Sequence, residues 1–316
     1  MSLRIVLLGT GEFALPAFRA LIESEHSVAA VYTQPDRTGR GHHRHVNQVK
    51  VLAEENGIPV CQPERVNTQD VLDELRSFEA DLFVVAAYGQ IMKSEFLAIP
   101  RLGAFNLHGS LLPRHRGAAP VQYSIWKGDR DAGVSIFRIE PALDSGPIVG
   151  GVATPIGAKE TSGELMQRLA DLSAPLTMDV LSQLDAGNAV FEVQDESQVT
   201  LSPKISKEEG VIDWAQSAVK IDCHVRAMQP WPKASTLMHA NDAALRCILV
   251  DVEPLEDATP GEPGTVIDSD KRLLIGTGSG VLQIHRIQPQ GKQVMDAVAF
   301  MNGYQVTCKT HFGQPL

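Results

Sequence analysis

Asn106 and His108 stand two residues apart in Phe105-Asn106-Leu107-His108-Gly109-Ser110-Leu111-Leu112-Pro113. On a β-strand, alternate residues share a face, so the two polar side chains point the same way while Phe105 and Leu107 point the other. An Asn amide can donate to a developing oxyanion, and a His can move a proton near neutral pH. A third group is Asp144, in Pro141-Ala142-Leu143-Asp144-Ser145-Gly146-Pro147. Alone, an Asp before Ser-Gly reads as a turn residue. Beside Asn106 and His108 it completes an Asn–His–Asp set, in which the carboxylate orients the imidazole, raises its pKa and accepts a proton through water. No Ser or Cys is placed as a nucleophile, which favours direct group transfer over a covalent intermediate.

The elements that must hold these groups are legible as patterns. Residues 3–8, 27–33, 81–87 and 104–108 are short apolar runs that read as strands, with helical spacing over 13–22 and 47–56. Continuous apolar strands alternating with helices imply βαβ units and a sheet covered on both faces. Two further strands, 133–139 and 148–156, flank the loop 140–147 that carries Asp144. A long amphipathic helix follows, capped at Thr161 or Ser162, with Leu165, Leu169, Leu172, Leu176, Val180, Leu181 and Leu184 as its apolar stripe. Residues 190–210 are polar and aperiodic and read as a linker. Then come a helix over 218–227 and five short runs, 236–240, 246–252, 264–268, 273–276 and 281–287, punctuated by Gly and Pro. The expected fold is α/β. A Rossmann-like, mainly parallel sheet spans residues 1–189, followed by a small OB-like β-barrel over 211–316.

Other candidates weigh less. Gly9-Thr10-Gly11-Glu12-Phe13-Ala14 fits a G-x-G-x-x-A turn, but no acidic residue ends the second strand to hold a ribose. That favours a tight, closely packed turn over a dinucleotide site. His42, His43 and His45 have no grouped carboxylate or cysteine, so no metal is expected. Cys61, Cys223, Cys247 and Cys308 share no metal or redox spacing and read as reduced thiols. Composition is ordinary for a globular chain: 43% hydrophobic and 21% charged residues. With 28 Lys+Arg against 38 Asp+Glu, the net charge of −10 excludes a wholly basic nucleic-acid coat. Against that background, residues 36–46 stand out, with Arg37, Arg40 and Arg44 against one acid. No apolar run is long enough to cross a bilayer, so the expectation is a cytoplasmic protein, working as a monomer without a membrane partner.

Asn106-x-His108 with Ser110-Leu-Leu-Pro113-x-x-x-Gly117 and Leu143-Asp144-Ser-Gly146 resembles the folate-dependent formyltransferases. Within them, the chain is most similar to the members that act on methionyl-initiator tRNA. The resemblance there is carried by Tyr32-Thr-Gln-Pro-Asp-Arg37, Gly39-Arg-Gly41, Val51-Leu-Ala-Glu-Glu55, Ala86-Ala-Tyr88-Gly89, Lys204-Ile-Ser-Lys-Glu-Glu209, Ile212-Asp-Trp214 and Pro230-Trp-Pro232. It departs at Gly11, where a proline is common, and at His42, His43 and His45, where lysines are common. The resemblance implies formyl transfer from 10-formyltetrahydrofolate to the amino group of methionyl-tRNA, with no metal. In that reading Asn106 and protonated His108 stabilise the oxyanion, and Asp144 orients His108 and helps remove the amine proton. Ser110, Leu111, Leu112, Pro113, Tyr88 and Gly89 line the folate site, and Arg37, Arg40 and Arg44 meet the tRNA, as does the C-terminal domain. The alternative within the family is an amino sugar nucleotide as acceptor. Outside it stand a dinucleotide-dependent oxidoreductase and a non-catalytic tRNA-binding protein.

Overall fold

The computed structural model describes residues 2–36, 46–240, 243–256, 258–259 and 261–313. In chain order its elements are β1 (Arg4–Gly9), α1 (Leu15–Ile22), β2 (Ser27–Tyr32), α2 (Gln48–Glu55), β3 (Val60–Cys61), α3 (Gln69–Ser77), β4 (Leu82–Ala86), α4 (Ser94–Leu97), β5 (Ala104–His108), β6 (Arg116–Gly117), α5 (Pro120–Trp126), β7 (Asp131–Arg138), β8 (Ile148–Pro155), α6 (Ser162–Asp185), β9 (Leu201–Ser202), α7 (Ala218–Ala227), β10 (Ser235–Ala240), β11 (Ala243–Leu255), β12 (Val266–Asp268), β13 (Leu273–Gly276), β14 (Val281–Pro289), β15 (Met295–Asp296), α8 (Ala297–Tyr304) and β16 (His311–Phe312). They form two compact units. The first comprises Met1–Pro120, Asp131–Pro155 and Leu165–Pro203; the second comprises Val121–Arg130, Ile156–Glu164 and Lys204–Leu316.

The first unit is built on one sheet of order β3-β2-β1-β4-β5-β7-β8. β3, β2, β1, β4 and β5 are parallel, and β7 and β8 add an antiparallel edge. The apolar runs of β1 and β4 are buried on both faces, as a sheet sandwiched by helices requires. Strand order reverses at β1, so connections leave on opposite sides and a crevice opens at the carboxyl ends of the strands. Gly9 is demanded by packing at the first turn: a Cβ there would meet the Ala86 carbonyl at 2.8 Å and the Phe18 ring at 2.8 Å. That matches the reading of this turn as close helix–strand packing.

α6 starts with a capping box, in which Thr161 Oγ1 and the Glu164 carboxylate serve each other's backbone N–H groups. Its buried face runs Leu165, Leu169, Ala170, Ser173, Thr177, Val180, Leu181 and Leu184, while Leu172 and Leu176 are only half-buried. The expected stripe therefore shifts at its middle. Ser173 and Thr177 enter the core because their hydroxyls donate back to the carbonyls of Ala170 and Ser173 at 2.7 Å, leaving no unpaired polar atom.

The second unit is an antiparallel sheet of order β12-β13-β14-β11-β10-β16, with β15 against β14. A bridge between Thr265 and His311 links its two ends into a barrel. Trp214 is buried against β10 and β16, 5% exposed, with its indole N–H donating to Thr236 Oγ1 at 3.0 Å and its ring 6.0 Å from that of Phe312. The sequence reading found the five main strands but not α8, whose eight residues hold too few turns to announce a period.

Candidate active site

Asn106 and His108 lie at the carboxyl end of β5, in register with Phe137 and Ser135 of β7. Asn106 is half-buried, and among the described residues its carboxamide makes no hydrogen bond. His108 is 5% exposed. Its Nε2 lies 2.9 Å from the carbonyl oxygen of His115. A carbonyl only accepts, so Nε2 carries the proton and Nδ1 presents its lone pair. Nδ1 faces Asp144 Oδ2 at 3.9 Å. Burial pushes the His108 pKa below its ordinary value, against the opposing pull of Asp144 and of the His115 carbonyl. Burial and the bond to the His115 carbonyl thus favour the neutral, Nε2-protonated form of the resting ring.

Asp144 lies in the loop between β7 and β8, as the sequence placed it, with φ at +45°. Asp tolerates that left-handed conformation better than most residues. Its Oδ2 accepts from the backbone N–H of Gly117 at 2.8 Å. Gly117 itself has φ +125°, and a Cβ there would meet the Ser202 carbonyl at 2.6 Å. That close approach belongs to the two-residue ladder of β6 with β9. Arg116 N donates to the Thr200 carbonyl at 2.9 Å, and Ser202 Oγ donates to the His115 carbonyl at 2.9 Å. Residues 115–117 therefore touch both His108 and Asp144, and residues 200–202 hold 115–117.

The 110–113 loop is tied down from behind. Ser110 is fully buried, donating to the Arg114 carbonyl at 2.7 Å, while Ser135 Oγ bridges the Ser110 carbonyl and Leu112 N at 2.8 and 3.0 Å. The Leu112–Pro113 peptide is cis, Leu112 is buried and Leu111 half-buried. Gly89 is exposed beyond β4, but the Tyr88 side chain is 2% exposed in the core cluster with Val66 and Phe96, and its carbonyl is taken by Gln34 Nε2 at 2.9 Å. Tyr88 thus contributes packing at that strand end. Arg37, Arg40 and Arg44, with His42, His43 and His45, lie outside the described residues.

Sequence reasoning missed Gln194 and Arg116. Both are 6% exposed, and Gln194 comes from the polar stretch read as linker. Residues up to Pro203 belong to the first unit, anchored by the Ile148–Glu192 bridge and by β9. The signal available was a composition of Gln, Asp, Glu and Ser, which in most chains marks solvated loop.

Residues 3–181 match the formyl transferase family, and residues 204–305 match the formyl transferase C-terminal domain. The chain belongs to the formyl transferase family. This formyl transferase is 44% identical over 308 residues to the methionyl-tRNA formyltransferase of Methylococcus capsulatus, covering 97% of this chain and 99% of that one. Its fold is similar to that of an N-formyltransferase from Helicobacter canadensis solved with folinic acid and dTDP-3-aminofucose. That match has a TM-score of 0.65 and 14% identity, and covers 90% of this chain and 99% of that one. It is also similar to HypX from Aquifex aeolicus solved with tetrahydrofolic acid, with a TM-score of 0.62 and 17% identity. There the match covers 96% of this formyl transferase, which spans about half of the HypX chain, 48%.

Among its described residues, this formyl transferase groups no three His, Cys, Asp or Glu side chains as a metal site. No described helix is long and apolar enough to cross a membrane. The four cysteines are unpaired, and burial pushes the Cys61 thiol up to about 11 and that of Cys247 to about 12.

Proposed function

We propose that the chain transfers the formyl group of 10-formyltetrahydrofolate to the free amino group of methionyl-initiator tRNA, giving N-formylmethionyl-tRNA. The observation that carries this reading is the full-length match to a methionyl-tRNA formyltransferase at 44% identity, against 14% for the structural neighbour solved with dTDP-3-aminofucose.

The free amine attacks the formyl carbon, and the carbonyl oxygen takes the negative charge of a tetrahedral intermediate. The bridging folate nitrogen then leaves with a proton, so one proton passes overall from amine to leaving group. The uncommitted Asn106 carboxamide supplies a donor to the oxyanion. His108 Nδ1 takes the amine proton, directly or by way of Asp144, and the resulting imidazolium pairs with Asp144 and adds positive charge beside the oxyanion. The ring that the resemblance takes as protonated acquires its proton during turnover in this account, because burial keeps it neutral beforehand. Ser110, Leu111, Leu112 and Pro113 shape the folate side of the site, with Gly89 at the neighbouring strand end and Tyr88 behind it.

In this reading residues 1–189, with 190–203 held against them, form the catalytic domain, and residues 211–316 a tRNA-binding domain. Arg37, Arg40 and Arg44 add phosphate contacts. The enzyme works in the cytoplasm, as a monomer. Radiolabelled formyl transfer to charged initiator tRNA, with an amino sugar nucleotide as competing acceptor, tests the assignment. Label in the aminoacyl-tRNA supports it, and label in the sugar alone overturns it.

A further inference from the structure

We propose that Gln194 is a positioning residue for the reaction: its carboxamide fixes the backbone of the Asp144 loop so that the carboxylate faces His108. The proposal rests on the reading of Asp144 as the carboxylate that serves His108.

The geometry is a relay of donors with one possible sense. Gln194 Nε2 donates to the carbonyl of Asp144 at 2.8 Å and to that of Gly146 at 2.8 Å. Its Oε1 accepts from Arg116 Nε at 3.0 Å and Nη2 at 2.8 Å. A guanidinium has only donors and the two carbonyls only accept, so the amide has one orientation that satisfies every partner. Arg116 is held in turn by Glu196, Nη2 to Oε1 at 2.8 Å. With both Gln194 and Arg116 6% exposed, water cannot substitute freely for these bonds.

The same strand grips the loop twice. The Arg116 side chain aims Gln194 at the loop's carbonyls, and the next residue's N–H binds the Asp144 carboxylate. Backbone and side chain of Asp144 are thereby referenced to one strand, β6, whose preceding residue binds His108 Nε2. Asp144 cannot drift from His108 without breaking bonds to that strand.

The test uses two variants of the full chain, Gln194→Met and Gln194→Glu. Met keeps the volume and removes every polar atom. Glu keeps the pair with Arg116 but offers the two carbonyls no donor. His108 is faced by two titratable groups, Asp144 and His115, and Gln194 touches only the first. Expected in both variants are a kcat loss of roughly 10- to 100-fold, the scale of a misplaced catalytic group, folate affinity within about twofold of the parent, and a shifted His108 ring titration followed by NMR, downward in the Met variant, which adds no charge. The titration requires no acceptor, so it reads the Asp144–His108 relationship even if the acceptor assigned above is wrong. If the Met variant does not fold, the Glu variant carries the test. An unmoved His108 titration, or parent-like kcat despite a shifted titration, overturns the proposal.

Discussion

The backbone N–H of Gly117 donates to Oδ2 of Asp144 at 2.8 Å, across 27 residues of chain. Through this bond a two-residue strand with no hydrophobic pattern, β6, sets the position of the carboxylate facing His108. Gly117→Ala is the direct probe. The added Cβ meets the Ser202 carbonyl at 2.6 Å at a φ of +125°, and strain of this kind costs about 1–3 kcal/mol. Denaturant unfolding is expected to show that loss, and formyl transfer to fall further than stability accounts for. Parent-like activity in the variant would remove β6 from the catalytic account.

Asn106→Ala and His108→Ala are each expected to depress kcat by roughly 10²- to 10³-fold, the scale of losing an oxyanion donor in the first case and a general base in the second. Folate affinity should change little, because neither side chain is needed to shape the 110–113 loop, which Ser135 and Ser110 secure. Steady-state kinetics beside equilibrium folate binding separates the two effects. Near-parental turnover in both would refute the assignment.

Asp144→Asn separates charge from shape. Asn tolerates the left-handed φ of +45° as well as Asp does, so the thermal midpoint should stay within a few degrees while activity is lost. Removing the carboxylate also removes the negative charge that favours the protonated His108 ring, so the ring should titrate at still lower pH. An active Asn variant would return Asp144 to the role of a plain turn residue.

A pH dependence of stability follows from His224 in the second unit. Its Nε2 lies 2.6 Å from the Glu209 carbonyl, its ring stacks on Trp126 at 5.3 Å, and burial lowers its pKa below the ordinary 6.5. The neutral ring is the one the fold prefers, so its contribution is complete above 6.5 and is lost as pH falls from there through the folded-state value. The loss can reach about 1.4 kcal/mol per pH unit for one proton. Urea unfolding between pH 7 and 5 should show a shallower decline for His224→Gln than for the parent. Equal slopes would contradict the burial argument.

Arg40→Ala should weaken use of tRNA and reduce the slope of log affinity against log salt by roughly 0.7–0.9, the value of one phosphate contact. Folate affinity should be untouched. Identical salt dependence in variant and parent would make this residue solvated surface.

The α/β class, the main strands of both units and the candidates Asn106, His108 and Asp144 are legible in residue order. Those features are local. Apolar runs announce buried strands, a two-residue spacing puts two side chains on one face, and a capping box marks the start of α6. How these groups are held is visible only in the folded chain. The 190–203 stretch carries no period because its role is to pair residues 115–117 and to insert Gln194 beneath the Asp144 loop. Such contacts join residues 50 and 78 positions apart through individual hydrogen bonds, and a polar stretch that makes them has the same composition as one that faces water. The protonation of His108 was also beyond the sequence. A carboxylate nearby suggests a raised pKa, but burial at 5% exposure outweighs it, and burial exists only once the chain has folded around the ring.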